Sequence, residues 1–234
     1  MSDDRPVPSA GPAAAPDPSA APVGPASART TVRRGAHRAV YERAAITEII
    51  DASPLCHVGV STPDGPMVLP MAPGRDDEWL YLHGAAANGV LNAAVGTEVC
   101  VTFTLLDGLV LARTAFHNSV NYRSVVVRGV ARSVDGPDKV RALRLISDHV
   151  VPTWDAGRGP TGAEVRRTLV VAVPLAEASA KVRSGDPVDE PEDLGGPWWA
   201  GTVPLGQRWG APVPAADLPA GIPVPDAVRG LTSL

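Results

Sequence analysis

The spacing of apolar residues changes along the chain from a helical period to an alternating one and back. Residues 41–52 repeat apolar side chains at helical spacing, and Ser53-Pro54 ends this predicted helix. Residues 55–134 alternate in short runs, which is typical of β-strands. A second helix is predicted after Asp135-Gly136-Pro137, because proline is favoured in the first turn. Its predicted buried stripe is Val140, Leu143, Ile146 and Val150.

Turn-forming residues divide the alternating part into short strands, most of them joined as hairpins. Residues 62–65 and 74–77 are predicted turns, and Asp107-Gly108 predicts a tight hairpin turn. A short helix is expected at 88–95. The predicted strands are 55–61, 66–73, 78–83, 97–106, 109–116, 122–134, 168–173 and 177–183. Strands that pair through hairpins, with two or three helices, indicate a mainly β protein built as an antiparallel barrel.

Composition divides the 234 residues into three regions. Residues 1–36 are rich in Pro, Ala and Ser and are predicted to form a disordered leader, since they bury too little apolar surface. Residues 37–184 hold the barrel domain. Residues 185–234 form a Pro/Gly-rich extension, and its Trp198, Trp199 and Trp209 predict that it packs partly on the barrel.

Charge and cysteine content exclude several classes of function. The net charge of -4 disfavours nucleic-acid binding, and no run reaches the ~18 apolar residues of a membrane span. The two cysteines, Cys56 and Cys100, are predicted to be buried free thiols. A cytoplasmic protein is therefore expected. The excess of Arg over Lys, together with the abundant Ala and Pro, points to a GC-rich bacterial genome.

Residues that could bind a ligand or take part in catalysis occur at only a few positions. His83 ends a strand before a small-residue loop that leads into the helix at 88–95. Two interpretations remain open: a phosphate seat on backbone N–H groups, or a plain turn in which Asn88 caps the helix. No histidine pair has the spacing of metal ligands on a helix, so no metal site is expected.

A second group of polar residues begins the strand at 122–134. Tyr122, Arg123 and Ser124 are consistent with ligand contact or with a solvated strand end. Arg113 lies in an otherwise apolar strand. An arginine there needs a partner, which is either a carboxylate or an anionic ligand.

Six segments, taken in order, resemble the pyridoxamine 5'-phosphate oxidase-like superfamily of FMN-binding split barrels, in its flavin-nucleotide-binding, nitroimidazole-reductase-like branch. The resemblance covers about residues 37–208, and the 23-residue segment is the specific one. The segments are LCHVGV (55–60), MVLPM (67–71), LYLHGA (80–85), DGLVLARTAFHNSVNYRSVVVRG (107–129), AKVRSGDP (180–187) and WWAGTVPL (198–205).

The resemblance implies a six-stranded antiparallel split barrel that forms a homodimer with FMN in grooves at the interface. By this resemblance, the strand at 68–71 runs under the flavin ring, and His83 and the loop to Asn88 face the phosphate. The implied cofactor-binding residues are Val68, Leu69, Pro70, Met71, His83, Asn88, Arg113, Tyr122, Arg123 and Ser124. Trp154, Trp198 and Trp199 are candidates for closing the site.

The chain departs from the family pattern where the helix begins. That branch carries a Ser-Arg pair or a Lys there, and this sequence has Asn88, Gly89 and Val90. Backbone N–H groups and His83, or Arg113 or Arg123, are then left to hold the phosphate.

The expected function is an FMN-dependent oxidoreductase that acts on a small-molecule substrate, with NAD(P)H as a plausible hydride donor. No catalytic residue is assigned, although His57 and Tyr122 are the candidate proton donors. The alternatives are a non-catalytic protein that binds a flavin, the deazaflavin F420 or haem, and an interaction protein with a degenerate barrel.

Overall fold

The computed structural model describes residues 24–232. Two compact units divide the chain, and the described part of the smaller one is residues 207–232, with one helix, α5 (Asp226–Gly230). In the unit Gly24–Gly206, the helices are α1 (Arg43–Asp51), α2 (Gly89–Ala94), α3 (Gly136–Val150) and α4 (Gly162–Arg166). Its strands are β1 (Ala39–Val40), β2 (Cys56–Thr62), β3 (Gly65–Met71), β4 (Gly74–Arg75), β5 (Trp79–Ala85), β6 (Glu98–Leu111), β7 (Ser119–Val130), β8 (Arg132–Ser133), β9 (Thr168–Pro174), β10 (Ala178–Arg183) and β11 (Gly201–Pro204).

These strands form two antiparallel sheets. The first has the order β1-β10-β7-β6-β2-β3, with β11 added beside β6, and the second has the order β4-β5-β9-β8. The fold is therefore the mainly β, antiparallel split barrel that the sequence predicts, with a few flanking helices.

One apolar core fills the space between the two sheets. Alternate residues of the strands point inward, as a pleated strand with one buried face requires. Val58, Val101 and Phe103 of the first sheet and Leu80 and Val171 of the second belong to this core. Ile46, Ile49, Ile50 and Leu91, from α1 and α2, complete it.

The second sheet is covered on its other face by α3. Tyr81, Val170 and Ala172 pack against Ala142 and Ile146 of that helix. The predicted stripe of α3 is thus partly wrong. Val140 and Val150 are exposed, and Ala142 is fully buried, because the small side chain lets the helix approach the sheet closely.

The hairpin predicted at Asp107-Gly108 is wrong. β6 runs straight through these residues, and both of its halves pair with β7 across a bulge between Leu106 and Gly108. A glycine is needed here because β11 approaches β6 closely, and not because the chain turns. A Cβ on Gly108 would lie 2.7 Å from the Val203 carbonyl oxygen of β11.

Two other local predictions differ from the structure. Residues 74–75, predicted as part of a turn, form β4 and pair with β5. Residues 24–36, placed in the leader, belong to the compact unit, where Arg29 makes ion pairs with Glu98 and Glu177. Residues 1–23 of the predicted leader lie outside the described residues.

Candidate functional site

Among residues 24–206, no helix packs on the outer face of the first sheet, because α1 and α2 pack on its core side and α3 packs on the second sheet. We call this outer face the uncovered face, and two rows of side chains cross it. The inward residues of β2, Val58 and Val60, are buried, so His57 and Gly59 face outward. Residues directly opposite each other on paired strands share a face. One row is therefore Val68, Gly59, Cys100 and Arg128, and the next is Pro70, His57, Thr102 and Val126.

A shallow groove of about 310 Å³ lies on this face. Met67 and Val68 form its apolar side and are 44% and 61% exposed. Arg128 and Glu98 also line it, and Glu98 pairs with Arg29. The remaining lining residues are Gly59, Val60, Ser61, Pro66, Val99 and Cys100.

Cys100 corrects one prediction. It is half-buried in this groove and is free, whereas Cys56 is fully buried in the core and also free. Burial raises the pKa of the Cys56 thiol to about 12. Only Cys100 is therefore in a position to react or to touch a bound molecule.

The predicted flavin-ring residues lie together on β3. This strand is the edge of the first sheet, so one side of its backbone has no partner strand among the described residues. Val68 and Pro70 are exposed, Leu69 is half-buried, and Met71 packs against the core. An apolar surface beside unpaired backbone N–H and C=O groups suits a flat heteroaromatic ring.

His83 and Asn88 lie elsewhere, at the end of β5 in the second sheet. Burial lowers the pKa of His83, so the neutral imidazole is favoured. The Asn88 Oδ1 accepts hydrogen bonds from the backbone N–H groups of Val90 and Leu91, at 3.0 and 3.1 Å. The structure thus shows the capping arrangement, in which two N-terminal donors of α2 are already occupied.

Both arginines predicted to reach a phosphate have carboxylate partners. Arg113 donates from its backbone N–H and its Nη1 to Asp189, at 2.7 and 2.8 Å, and the Asp189 side chain is 2% exposed. Arg123 binds Asp107 through Nε and Nη2, at 3.1 and 2.8 Å. That bond raises the pKa of Arg123 further. Of the two partners left open for Arg113, the structure shows the carboxylate.

Tyr122 and Ser124 share a face of β7. Ser124 Oγ donates to the Lys181 carbonyl oxygen at 3.3 Å, and Tyr122 is half-buried opposite Arg183 of β10. β2 and β6 separate β7 from β3, a distance of about 14 Å at the usual strand spacing. The structure therefore brings the β3 residues together, but separates them from the β7 pair and from His83.

The three candidate tryptophans lie outside the strands. Trp154 is half-buried in a short 3-10 helix, and Trp198 and Trp199 are exposed. The Trp199 ring lies over Gly201, the first residue of β11, where a Cβ would meet it at 3.0 Å.

Two features of this surface are not evident from the sequence. The groove residues Cys100 and Arg128 become visible only once the register of β2, β6 and β7 is known. Arg183 is a buried charged residue at the end of β10. Its one sequence signal was its position at the end of an apolar strand.

This geometry defines an antiparallel split barrel with an uncovered outer sheet face. A family model described as pyridoxamine 5'-phosphate oxidase matches residues 42–182, and the chain belongs to that family. No curated protein sequence matches the chain significantly.

Solved structures support the same assignment. The flavocytochrome Anf3 from Azotobacter vinelandii is 34% identical with a TM-score of 0.84, over 88% of this chain and 98% of that one. The FAD and haem binding protein from Mycobacterium smegmatis is 33% identical with a TM-score of 0.79, over 83% of this chain and 97% of that one. A 5-nitroimidazole antibiotic resistance protein from Bacteroides thetaiotaomicron is 27% identical with a TM-score of 0.53, over 62% of this chain and 86% of that one.

Residues 24–232 contain neither a membrane-spanning helix nor a metal-binding cluster. Among residues 24–232, no helix is long and apolar enough to cross a membrane. The same residues contain no group of three or more His, Cys, Asp or Glu side chains placed to hold a metal ion.

Proposed function

We propose that the chain is a flavoprotein that holds a flavin nucleotide, FMN in the first instance, on the uncovered face of the first sheet. The observation that carries this proposal is the likeness, over more than four-fifths of the chain, to a flavocytochrome and to an FAD and haem binding protein. Both are over 30% identical to this chain, so the likeness concerns its sequence as well as its fold.

The β3 edge fits a flavin ring. Val68 and Pro70 offer an apolar surface, and the free side of the β3 backbone offers hydrogen bonds to the polar edge of the ring. The adjacent groove of about 310 Å³ is at the lower end of the usual ~300–1,000 Å³ for small-molecule sites. A second copy of the chain over the same face would enclose the ligand, and this supports a homodimer.

When bound, the flavin supplies the electron-transfer chemistry, with NAD(P)H as the proposed hydride donor. The chain's own side chains bind and orient the ring and exclude water from it. His57 lies in the row beside Pro70, while Tyr122 lies about 14 Å from β3. The position of His57 favours it over Tyr122 as a group that donates a proton to a substrate at this face.

Haem is the second candidate cofactor. Two of the relatives are described as a flavocytochrome and as an FAD and haem binding protein, which favours haem beside the flavin over F420. The half-buried or exposed imidazoles of His57, His83 and His117 are chemically suited to bind haem iron. A carrier that does not turn over remains the alternative to an enzyme.

The first experiment is the visible spectrum of the purified protein, followed by denaturation and mass identification of what is released. We expect a flavin spectrum and FMN or FAD, and bleaching by NADH or NADPH separates an enzyme from a carrier. A Soret band would add haem. A colourless protein that also fails to bind added FMN, FAD and haem would overturn the proposal.

A matched pair of variants tests the location. Val68→Asp places a charge under the proposed ring and should weaken flavin binding by about tenfold or more, since 1.4 kcal/mol corresponds to tenfold. Val150→Asp changes a valine on α3 that is 50% exposed, against 61% for Val68, and we expect unchanged affinity. Equal affinities in the two variants would exclude the β3 surface.

A further inference from the structure

Arg183 is buried at the end of β10. It is 7% exposed, and it pairs in register with Tyr122 of β7. Strand alternation directs it outward, away from the core. Beyond β10 the chain lies against the start of β7, where the Asn121 Nδ2 donates to the Gly185 carbonyl oxygen at 3.1 Å.

No counter-charge accompanies this buried cation. Arg113 and Arg123 each hold a carboxylate at 2.8 Å, but no carboxylate of residues 24–232 lies within 4.0 Å of the Arg183 guanidinium. The acidic residues that follow in sequence do not supply one, because Asp186 is exposed and Asp189 binds Arg113. An unpaired buried charge is costly, so this position favours an anion.

The guanidinium is held in one orientation with an edge free. Its Nη1 donates to the Asn121 Oδ1, and the hydrogen bond from Asn121 to Gly185 fixes that amide. Nε and Nη2 meet no acceptor among the described residues, and neither atom is fully shielded from solvent. These two N–H groups form the fork that binds a phosphate or carboxylate through two parallel hydrogen bonds.

The surroundings strengthen the preference for an anion. Lys181 lies on the same side of β10, two residues earlier, and its Nζ donates to the Arg34 carbonyl oxygen at 2.8 Å. Ser124, opposite Lys181, adds a hydroxyl on the same face. The end of this strand pair therefore carries two positive charges, and the described residues place no carboxylate against either one.

We propose that Arg183 binds a phosphate group of a nucleotide ligand, with Asn121 as its positioning residue. Three other candidates for this role are occupied, since Asn88 caps α2 and Arg113 and Arg123 have carboxylate partners, and the lowered pKa of His83 favours its uncharged form. The assignment needs only a ligand that carries phosphate. Where that ligand is FMN, the assignment rests on the proposed function and on its homodimer: β10 lies four strand spacings, about 19 Å, from β3 of the same chain, so a ring on β3 of one copy would place its phosphate at Arg183 of the other.

Inorganic pyrophosphate, added to protein freed of bound ligand, tests Arg183 without any flavin. We expect the melting temperature of the wild type to rise with pyrophosphate concentration, and Arg183→Met to lose this response. The ligand-free Arg183→Met protein should also melt higher than the wild type, because an uncompensated buried charge has been removed. The control is Arg166→Gln, an exposed arginine on α4, which should retain the full response.

Comparison of FMN with riboflavin tests whether the phosphate belongs to the flavin. For Arg183→Gln we expect FMN to bind about ten- to a hundredfold more weakly and riboflavin, which lacks the phosphate, to bind as in the wild type. Arg183→Lys keeps the charge but loses the fork, so it should recover only part of the FMN affinity. Asn121→Ala should weaken FMN less than Arg183→Gln does.

Three outcomes would overturn the assignment. One is a pyrophosphate response that survives in Arg183→Met. Another is an equal loss of FMN and riboflavin affinity. The third is an Arg183 variant that changes from dimer to monomer while its phosphate binding is unchanged. That result would show that Arg183 pairs with a carboxylate of a second copy. A wild type that responds to pyrophosphate but binds no flavin would overturn the proposed function and leave Arg183 as a phosphate site.

Discussion

The two sheets of the barrel are buried to different extents. The second sheet has the core on one side and α3 on the other, so β9 reads as the continuous apolar run Leu169–Val173. The first sheet has the core on one side and, within residues 24–206, no helix on the other. Its outward positions hold a mixture of His57, Cys100, Thr102 and Val68.

This difference indicates where each sheet serves stability and where it is available for binding. A sheet with two covered faces has no surface left for a ligand. The uncovered face keeps apolar side chains, a free thiol and an arginine within one groove.

Removal of an inner-face side chain should affect both sheets together. Phe103 is fully buried between them, so we expect Phe103→Ala to lower the free energy of unfolding by about 3–5 kcal/mol. Phe116, which is 88% exposed, is the control, and its replacement by Ala should change stability by less than about 0.5 kcal/mol. Denaturant titration measures both values, and similar costs would show that the common core is not where the structure places it.

The contact of α3 with the second sheet is tested at Gly74. A Cβ at this position would lie 2.5 Å from the Ile146 backbone nitrogen, so Gly74→Ala must push α3 away and cost about 1–3 kcal/mol. Gly89 in α2 has no atom within 4 Å of the same position, and Gly89→Ala should be neutral or stabilise by up to about 1 kcal/mol. A stabilising Gly74→Ala would contradict the close packing of α3.

Acid should weaken the covered sheet through Asp76. Burial raises the pKa of Asp76, but hydrogen bonds from Tyr81 and Arg141 and from the Glu78 and Trp79 backbone lower it more, to about 2. Because the folded pKa lies below the ordinary aspartate value of 3.8, the stabilisation is present above about pH 4 and is lost as pH falls towards 2.

The melting temperatures of wild type and Asp76→Asn, measured from pH 6 to pH 2, test this dependence. The wild type should melt higher near neutral pH, and the difference should shrink below about pH 4. A difference that stays constant over this range would remove Asp76 as the titrating group.

The two thiols should differ in reactivity. Cys100 lies in the open groove, and Cys56 is buried with a pKa raised to about 12. A thiol reagent should therefore label one cysteine in the native protein and the second only after unfolding. Bound flavin should slow the labelling of Cys100. If the labelling rate is the same with and without flavin, the flavin does not lie in the groove.

Short-range patterns in the sequence predict most of the barrel. β2, β3 and β5 and helix α1 follow from local periodicity and turn residues, because each depends on its immediate neighbours in the chain. The hairpin at Asp107-Gly108 was wrong for the opposite reason. The glycine at 108 is required by close contact with Val203, which is distant in sequence. No local sequence pattern indicates that contact.

The candidate site was predictable to a smaller extent. Val68–Met71 could be placed on one strand from the sequence and the family resemblance. The partners of the arginines could not, since Asp189 reaches Arg113 across 76 residues and Asp107 sits on a bulge. The burial of Arg183 likewise does not follow from the local sequence. Long-range contacts thus decide which cation is free to bind an anion.

The pairing of β11 with β6 also bears on how the chain folds and on how it could be shortened. β11 adds to the same side of β6 as β2 does, at residues 108–111, and it comes from the far end of the compact unit. Such distant pairing forms slowly, because a long loop must close first. A chain ending at residue 184 would leave this stretch of β6 as an unpaired apolar edge, open to a strand from another molecule. Trimming the extension would therefore be expected to cause aggregation before it caused any loss of barrel structure.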